Sequence, residues 1–277
     1  MKDAAPEPVE RPGLGAYAIC ARGIVWREAL RFVQQKERFL SALVRPLVWL
    51  FIFAAGFRAV LGLSIQPPYE TYILYEVYVV PGLCAMIQLF QGMQSSLSMV
   101  YDRVTVAMRA LLVSPFPRWF LLGAKLVASV VVSMVQVYAF LAIAALYGVE
   151  MPLVGYLAVA PALLLSGLLL GAIGLFLSSA IRQLENFAGV MNFVIFPMFF
   201  ASSALYPLWR LRESSPLLAD IASANPFTHC VELVRFALHA EAAWGSLGIV
   251  AGLAVAFFAA AVVAYDPARG VLSRRGG

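Results

Sequence analysis

Residues 154–178 read VGYLAVAPALLLSGLLLGAIGLFLS, an apolar run without a charged side chain. Thirteen of these residues are Leu, Ile, Val or Phe. A helix needs about 20 mainly apolar residues to cross the hydrocarbon core of a bilayer, and this run is long enough. Open sheets and loops cannot cross, because lipid offers their amides no hydrogen-bond partner. The run therefore predicts a transmembrane helix.

Three further apolar runs precede this one and two follow it. The six predicted spans cover residues 44–63, 74–98, 120–146, 154–178, 187–206 and 246–265. The composition agrees, since 62% of the residues are hydrophobic and 13% are charged, whereas soluble domains have roughly 45–50% and 25%. We therefore predict an all-α integral membrane protein whose domain of six transmembrane helices covers residues 43–265.

Positive charge falls on every second connection between the spans. Sixteen of the twenty Lys and Arg residues lie in residues 1–45, 99–125, 182 and 266–277. The remaining four are Arg58, Arg210, Arg212 and Arg235. Cytoplasmic loops carry the excess of Lys and Arg, so this asymmetry predicts that both termini are cytoplasmic. Residues 266–277 then form a cytoplasmic tail.

The chain before the first span divides into two parts. Residues 1–15 are rich in proline and mixed charge, which is typical of a disordered lead-in. In residues 16–42, apolar side chains recur at helical spacing on one face and arginines on another. This pattern predicts an amphipathic helix lying on the inner membrane surface. An ordinary solvated helix next to the membrane is the alternative.

Two spans carry patterns that set them apart from plain lipid-facing helices. A polar stripe runs along span two at helical spacing, formed by Gln88, Gln91, Ser95 and Ser98. Such a stripe avoids lipid and faces either another helix or a water-filled path, so it indicates a packing face or a translocation lining. Span five adds an aromatic-rich end with Phe196, Phe199, Phe200 and Ser203. In span four, Gly167, Gly171 and Gly174 predict close approach to another helix without naming the partner.

The segment between spans five and six is too polar to cross the membrane and too apolar for a free linker. Pro216 and Asn225-Pro226 are expected to break it into short amphipathic or re-entrant helices that cover the outer mouth. Cys230 lies in this segment, and we expect it to react with a membrane-impermeant maleimide in intact spheroplasts. Cys20, on the cytoplasmic side, should be spared.

Residues 99–119 read MVYDRVTVAMRALLVSPFPRW and lie on the cytoplasmic side by the charge rule. Their periodicity predicts a short amphipathic helix, with Asp102 near its start, where a carboxylate opposes the helix dipole favourably. Pro115 and Pro117 would end it. A capped helix between two spans is suited to transmit force from a soluble partner. A plain surface loop is the alternative.

These motifs, taken in order, resemble the permease subunits of type-2 ATP-binding-cassette exporters, which include nodulation-factor and drug exporter permeases. The resemblance covers about residues 45–265. It rests on Pro81-Gly82, Tyr101-Asp102-Arg103 with Met108-Arg109 and Leu111-Leu112, Ser114-Pro115, Pro117-Arg118 with Gly123 and Lys125, Glu185-Asn186-Phe187, FPMFFASSALYPL (196–208) and NPFTHCVELVRFAL (225–238). The family usually has a glycine shortly after the Asp-Arg pair, where this chain has Val104-Thr105-Val106.

The resemblance implies a half-permease in the bacterial inner membrane that works with a cassette ATPase and with a second permease copy or a sibling. It implies that 101–115 holds the ATPase-coupling helix, with contacts from Tyr101, Asp102, Arg103, Met108, Arg109, Leu112, Ser114 and Pro115. Spans two and five would line the route, and the segment 207–240 would cap it. The cargo would be amphipathic, lipid-linked or glycan-like.

Several chemistries are missing from the sequence. No GxxxxGK[ST] motif is present, so ATP and magnesium would be bound by the partner ATPase, and this chain would need no cofactor of its own. HExxH, CxxC and GxSxG are also absent, and we predict neither an enzyme nor a metal site. The net charge of +5 is explained by its placement beside the membrane, and no nucleic-acid partner is expected. Two alternatives stay open: a secondary carrier driven by an ion gradient, and a membrane enzyme or anchor without transport.

Overall fold

The computed structural model describes residues 13–34, 36–57, 67–69, 73–104, 116–149, 151–181 and 184–265. Ten helices account for most of these residues. They are α1 (Leu14–Gln34), α2 (Lys36–Phe57), α3 (Tyr75–Val104), α4 (Arg118–Leu146), α5 (Leu153–Ala180), α6 (Leu184–Phe200), α7 (Leu208–Ser214), α8 (Pro216–Ala224), α9 (Pro226–Leu238) and α10 (Trp244–Ala264). The expected lead-in is described only from residue 13, and the expected tail, 266–277, lies outside the described residues.

Three of these helices are long and apolar enough to cross a membrane: Arg118–Leu146, Leu153–Ser179 and Trp244–Ala264. Of two shorter apolar helical stretches, Phe39–Ile52 overlaps the first predicted span and Gly189–Phe200 lies within the fifth. Helix α3 has 30 residues, so its length suffices, but the glutamines and serines of its polar stripe lower its apolar content. An all-helical membrane architecture is therefore present, and the six-span topology stays a prediction.

The helix boundary near residue 35 differs from the expected interfacial segment. Helix α1 ends at Gln34, and α2 begins at Lys36 and runs to Phe57. Residues 36–42, which the sequence pattern grouped with the interfacial helix, therefore belong to the same helix as the first predicted span. Helix α1 buries none of its side chains and exposes Ile19, Trp26 and Val33. An unpartnered apolar face of this kind suits a membrane surface.

The core centres on the crossing of α3 and α5, the most extensive helix pairing of the structure. Glycines let the two backbones touch there. A Cβ atom built on Gly92 would lie 3.0 Å from the Cα atom of Gly171, and one on Gly174 would lie 2.6 Å from Ser96 Oγ. The close approach predicted for the glycine face of span four is confirmed, and its partners are α3 at Gly174 and α4 at Gly171.

Helices α7, α8 and α9 fill the segment between the fifth and sixth predicted spans. Pro216 and Pro226 are the first residues of α8 and α9, so the predicted breaks are confirmed. The side chains of Ser215 and Asn225 accept hydrogen bonds from the backbone N–H groups of Leu218 and Phe227, as N-cap residues do. Proline suits the first helical position because it has no N–H to leave unpaired.

Helix α9 is inserted into the core. Its apolar residues Phe227, Val231, Val234 and Leu238 are fully buried. The end of α9 meets the start of α5 at Gly155, where a Cβ atom would collide with the carbonyl oxygen of Leu238. Only a glycine permits this approach. The segment between α6 and α10 is thereby fixed against the two helices that form the crossing.

Helix α10 is the most exposed of the three helices that are long and apolar enough to cross a membrane. It buries only Val250, Ala254 and Ala261, and Val255 is 70% exposed. Because this helix carries no charged residue, its exposed side is suited to lipid or to another apolar helix.

Candidate functional site

The polar stripe of α3 divides between two environments. Gln88 is buried, and its Nε2 donates a hydrogen bond to the carbonyl oxygen of Leu163 in α5 at 2.6 Å. This bond is an interhelical contact of the kind that holds membrane helices together. The other three stripe residues lie further along α3, beside a different space.

Gln91, Ser95 and Ser98 line a small polar cavity between α1, α3 and α4. Its volume is about 30 Å³, and Glu28, Arg31 and Ser129 also line it. The Ser98 hydroxyl donates to the Ser95 carbonyl oxygen at 2.6 Å. The stripe therefore faces a polar space beneath α1 within this chain.

A second polar cavity, of about 20 Å³, lies beside the first and shares Gln91 with it. It separates α2 from α3 and α4. Polar side chains from all three helices line it: Ser41, Arg45, Gln91, Gln94 and Gln136. Gln136 is fully buried, and neither of its amide atoms has a hydrogen-bond partner. Buried amides of this kind usually bond to protein or ordered water, so this cavity is a candidate binding space.

The aromatic end of α6 has one buried ring and two exposed rings. Phe199 is buried and meets Trp49 of α2 edge to face, with 5.8 Å between ring centres. Phe196 and Phe200 are 48% and 40% exposed and stack on each other. Phe199 and Phe200 both pack α6 onto Trp49 of α2, and the exposed parts of Phe196 and Phe200 present an open aromatic face.

A buried arginine of α9 lies between α3 and the turn after α6. Arg235 of α9 is 1% exposed and pairs with Glu232. Its Nη2 donates to the carbonyl oxygen of Ser203 at 2.8 Å, and its Cζ lies 4.2 Å from the centre of the Tyr78 ring. Burial by itself would lower the pKa of Arg235, but the Glu232 carboxylate and the tyrosines Tyr78 and Tyr69 raise it above its ordinary value. The guanidinium therefore stays charged.

The same cluster ties α3 to the turn after α6. Tyr78 donates to the Ser203 carbonyl oxygen at 2.9 Å, and Tyr75 donates to the Leu205 carbonyl oxygen at 2.6 Å. Close by, a Cβ atom on Gly82 would lie 2.8 Å from Ala204. The Pro81-Gly82 pair thus lets this turn lie directly against α3.

Asn225, the N-cap residue of α9, binds the end of α6. Its Nδ2 donates to the carbonyl oxygens of Met198 and Ala201, at 2.8 and 2.6 Å. These carbonyls lie at the end of a helix, where the helix itself supplies no partner. The sequence marked Asn225-Pro226 only as a break, and nothing local in it pointed to these two acceptors.

An apolar groove of about 270 Å³ opens beside this cluster. It lies between the start of α3 and α7, and Tyr75, Leu205, Tyr206, Pro207, Arg210, Leu211 and Ser214 line it. Arg210 supplies the only charged side chain of this lining. The groove therefore combines an apolar wall with one cation.

The predicted coupling segment is described only at its beginning. Tyr101, Asp102 and Arg103 lie in the last turn of α3, which ends at Val104. Residues 105–115, including Met108, Arg109, Leu112, Ser114 and Pro115, lie outside the described residues. The expectation that Asp102 sits near the start of a helix is wrong, because α3 continues unbroken through it.

The expected accessibility of Cys230 is also wrong. The thiol is fully buried in α9, and burial raises its pKa to about 12. Thiolate is the form that reacts with maleimide, so both effects oppose labelling. Among the described residues, no group of three or more His, Cys, Asp or Glu side chains could hold a metal ion.

Comparison with known proteins gives a consistent result. The sequence model of the ABC-2 type transporter family matches residues 21–239. A chain of Cyanophora paradoxa named as a transport permease, ycf38, is 26% identical over 223 residues, which cover 77% of this chain and 72% of that one. A chain of Escherichia coli named as a multidrug ABC transporter permease, YbhR, is 30% identical over 171 residues, which cover 60% of this chain and 45% of the relative.

The family match covers well over half of the chain and includes every helix from α2 to α9. ABC-2 permeases are transport subunits of the membrane and are not themselves catalytic, and an ABC system includes an ATPase partner. The chain therefore belongs to the ABC-2 type transporter family, as a multi-pass permease subunit embedded in the membrane.

Proposed function

We propose that this chain is the permease of an exporter in the bacterial inner membrane and that a separate ATPase subunit drives it. Two copies, or this chain and a sibling, form the pathway above two ATPase subunits. The absence of a P-loop from the sequence supports a separate energy source. ATP and magnesium are bound by that partner, and this chain acts as the mechanical part of the assembly.

The observation that carries this proposal is the continuity of α3. This helix runs without a break from Tyr75, beside the outer turn, through the polar stripe to Asp102 and Arg103. Its 30 residues correspond to about 45 Å. A movement of the ATPase against the 101–115 segment would therefore reach the outer cluster through one rigid element. The coupling role belongs to Tyr101, Asp102 and Arg103, followed by Met108, Arg109, Leu112, Ser114 and Pro115.

The proposed cargo is amphipathic, and a lipid-linked or glycan-like molecule fits this class. Two features support it: the open aromatic face of Phe196 and Phe200, and the apolar groove with Arg210 at its edge. Both present apolar surface close to polar or charged groups. A cargo with an apolar body and a polar end would find partners at each.

The coupling role is tested by inverting charges in the proposed coupling segment. The variant carries Asp102→Lys together with Arg109→Glu, which keeps the net charge constant. We expect it to lose co-purification with the cassette ATPase, or to lose stimulation of ATP turnover in the assembled complex. Control substitutions, Arg212→Asp with Asp220→Arg, invert an exposed ion pair outside this segment and should change neither.

Two results would contradict the proposal. Full ATPase assembly and full stimulation in the Asp102/Arg109 variant would exclude the coupling role of this segment. Transport in proteoliposomes that hold a proton gradient but no ATPase would favour an ion-driven carrier instead.

A further inference from the structure

The cavity between α2, α3 and α4 has a cation at its mouth and an amide at its inner end. Arg45 lies in α2, and its guanidinium carbon is 3.7 Å from the centre of the Phe90 ring of α3. The arginine side chain is exposed, whereas Gln136 of α4 is fully buried. Both side chains line the same cavity of about 20 Å³. A ligand at the mouth could therefore contact Arg45 and be linked inward to Gln136.

The charge of Arg45 is not balanced within the described part of the chain. The cavity lining contains no Asp or Glu. Among the ion pairs of the described residues, none includes Arg45. A cation close to lipid is stabilised by an anion, and a guanidinium can give a carboxylate or phosphate two parallel N–H donors. The Phe90 ring holds the guanidinium in place as a cation–π partner.

The inner end of the cavity is suited to a bound water molecule. Neither amide atom of Gln136 has a hydrogen-bond partner, and a cavity of this size holds about one water. Pro46 also lines the cavity and has no N–H, so the helix gives the carbonyl of Ala42 no bond from that position. A water in this space has Gln136 on one side and the mouth of the cavity on the other.

We infer that Arg45 and this cavity form a binding site for a phosphate group carried by a lipid headgroup. The phosphate pairs with the Arg45 guanidinium at the mouth, and a water in the cavity links it to Gln136. The lipid belongs to the leaflet against which α1 lies, because α1 and the start of α2 lie at the same end of the helices. Lipid phosphate is the anion that a membrane surface supplies in greatest amount. The test of this site measures binding and not transport, so its result does not depend on the proposed export function.

The test measures binding to the purified full-length chain in detergent. The probes are a short-chain phosphatidate, a diacylglycerol with the same acyl chains and inorganic phosphate. Binding is followed by the rise in the thermal unfolding midpoint during titration, which yields an apparent Kd. We expect phosphatidate to bind and diacylglycerol to have no comparable effect, because only the first carries the phosphate.

Variants identify the group responsible. Arg45→Gln should weaken phosphatidate binding about tenfold, because a charge-assisted contact is lost. Arg45→Lys keeps the charge but not the paired N–H donors, so it should weaken phosphatidate binding less than Arg45→Gln does. This variant gives a second measurement if Arg45→Gln does not fold. Gln136→Leu removes the partner of the water and should weaken it about threefold. The matched control is Arg22→Gln, an exposed arginine of α1, which should stay within about twofold of the unaltered chain.

Three outcomes would overturn the inference. Equal weakening by Arg45→Gln and Arg22→Gln would show a diffuse attraction to basic residues. Equal stabilisation by diacylglycerol and phosphatidate would show that the phosphate is not recognised. Inorganic phosphate that bound as tightly as phosphatidate would keep the anion site but assign it to a soluble ligand, against the lipid source.

Discussion

The guanidinium of Arg235 lies over the Tyr78 ring, with its Cζ atom 4.2 Å from the ring centre, and this contact joins α9 to α3. The same guanidinium pairs with Glu232 and donates to the Ser203 carbonyl oxygen. One side chain therefore holds three elements together: α3, α9 and the turn after α6. Their attachment to one another therefore contributes to the stability of the chain.

Arg235→Met should lower the stability of the chain strongly. The substitution leaves Glu232 without its partner in a largely buried position, which costs about 3 kcal/mol. For a chain of this size, the thermal unfolding midpoint should fall by roughly 10 °C. Scanning fluorimetry of the purified chain measures it.

The double substitution of Arg235→Met with Glu232→Met should recover part of this loss, because no unpaired charge then remains. Breaking the exposed pair of Arg212 and Asp220 by Arg212→Met should leave the midpoint almost unchanged. If Arg235→Met and Arg212→Met lowered the thermal unfolding midpoint equally, the buried cluster would not hold α3, α9 and the turn after α6 together.

Gln88→Leu should destabilise the chain by about 1 kcal/mol, because the hydrogen bond to the Leu163 carbonyl oxygen is lost. Gln91→Leu should destabilise the chain less than Gln88→Leu, since Gln91 faces the two small polar cavities. Thermal midpoints of the two variants give the comparison. Unchanged stability in Gln88→Leu with a lowered export rate would mean that Gln88 lines the pathway and does not serve packing.

Gly92→Ala should be more damaging than Gly171→Ala, although both glycines lie at the same crossing. A methyl group on Gly92 meets the backbone of Gly171 at 3.0 Å, and backbone cannot move aside without separating α3 from α5. A methyl group on Gly171 meets the end of the Leu126 side chain, which can change its rotamer.

The expected loss for Gly92→Ala is about 2 kcal/mol, within the range for overpacked cores. Gly252→Ala in α10 is the control, because nothing lies within 4 Å of the added methyl group. That control should be neutral or slightly stabilising, since alanine favours a helix over glycine. Size-exclusion profiles and thermal midpoints report the ranking, and a reversed order would contradict the described crossing.

The thiols allow a test of topology, although Cys230 is no longer expected to be labelled because it is buried. Cys84 and Cys230 are buried and should resist maleimide, whereas the partly exposed Cys20 should react once the cells are permeabilised. In a Cys20→Ser background, Glu241→Cys places a thiol at an exposed position after α9. It should be labelled in intact spheroplasts by an impermeant maleimide. Labelling of Glu241→Cys only after permeabilisation would invert the predicted orientation.

Features that depend on length, composition and local backbone preference followed from the sequence. The run at 154–178 predicted a membrane helix because its apolar length matches the bilayer, and α5 extends over it. Pro216 and Asn225-Pro226 predicted breaks between short helices, and the two prolines are the first residues of α8 and α9. The motifs of the chain indicated the family, and the family match confirmed it.

The partner of each polar group was decided only by the tertiary structure. The sequence placed Gln88 and Gln91 on one stripe, but the crossing at Gly92 and Gly171 turns Gln88 toward the Leu163 carbonyl and leaves Gln91 at the cavities. It placed Arg235 in an outer loop, whereas the insertion of α9 buries it against Tyr78, which is distant in the sequence. Local patterns determine which face of a helix is polar. The packing of distant helices determines what that face meets, because contact energies depend on three-dimensional proximity and not on spacing along the chain.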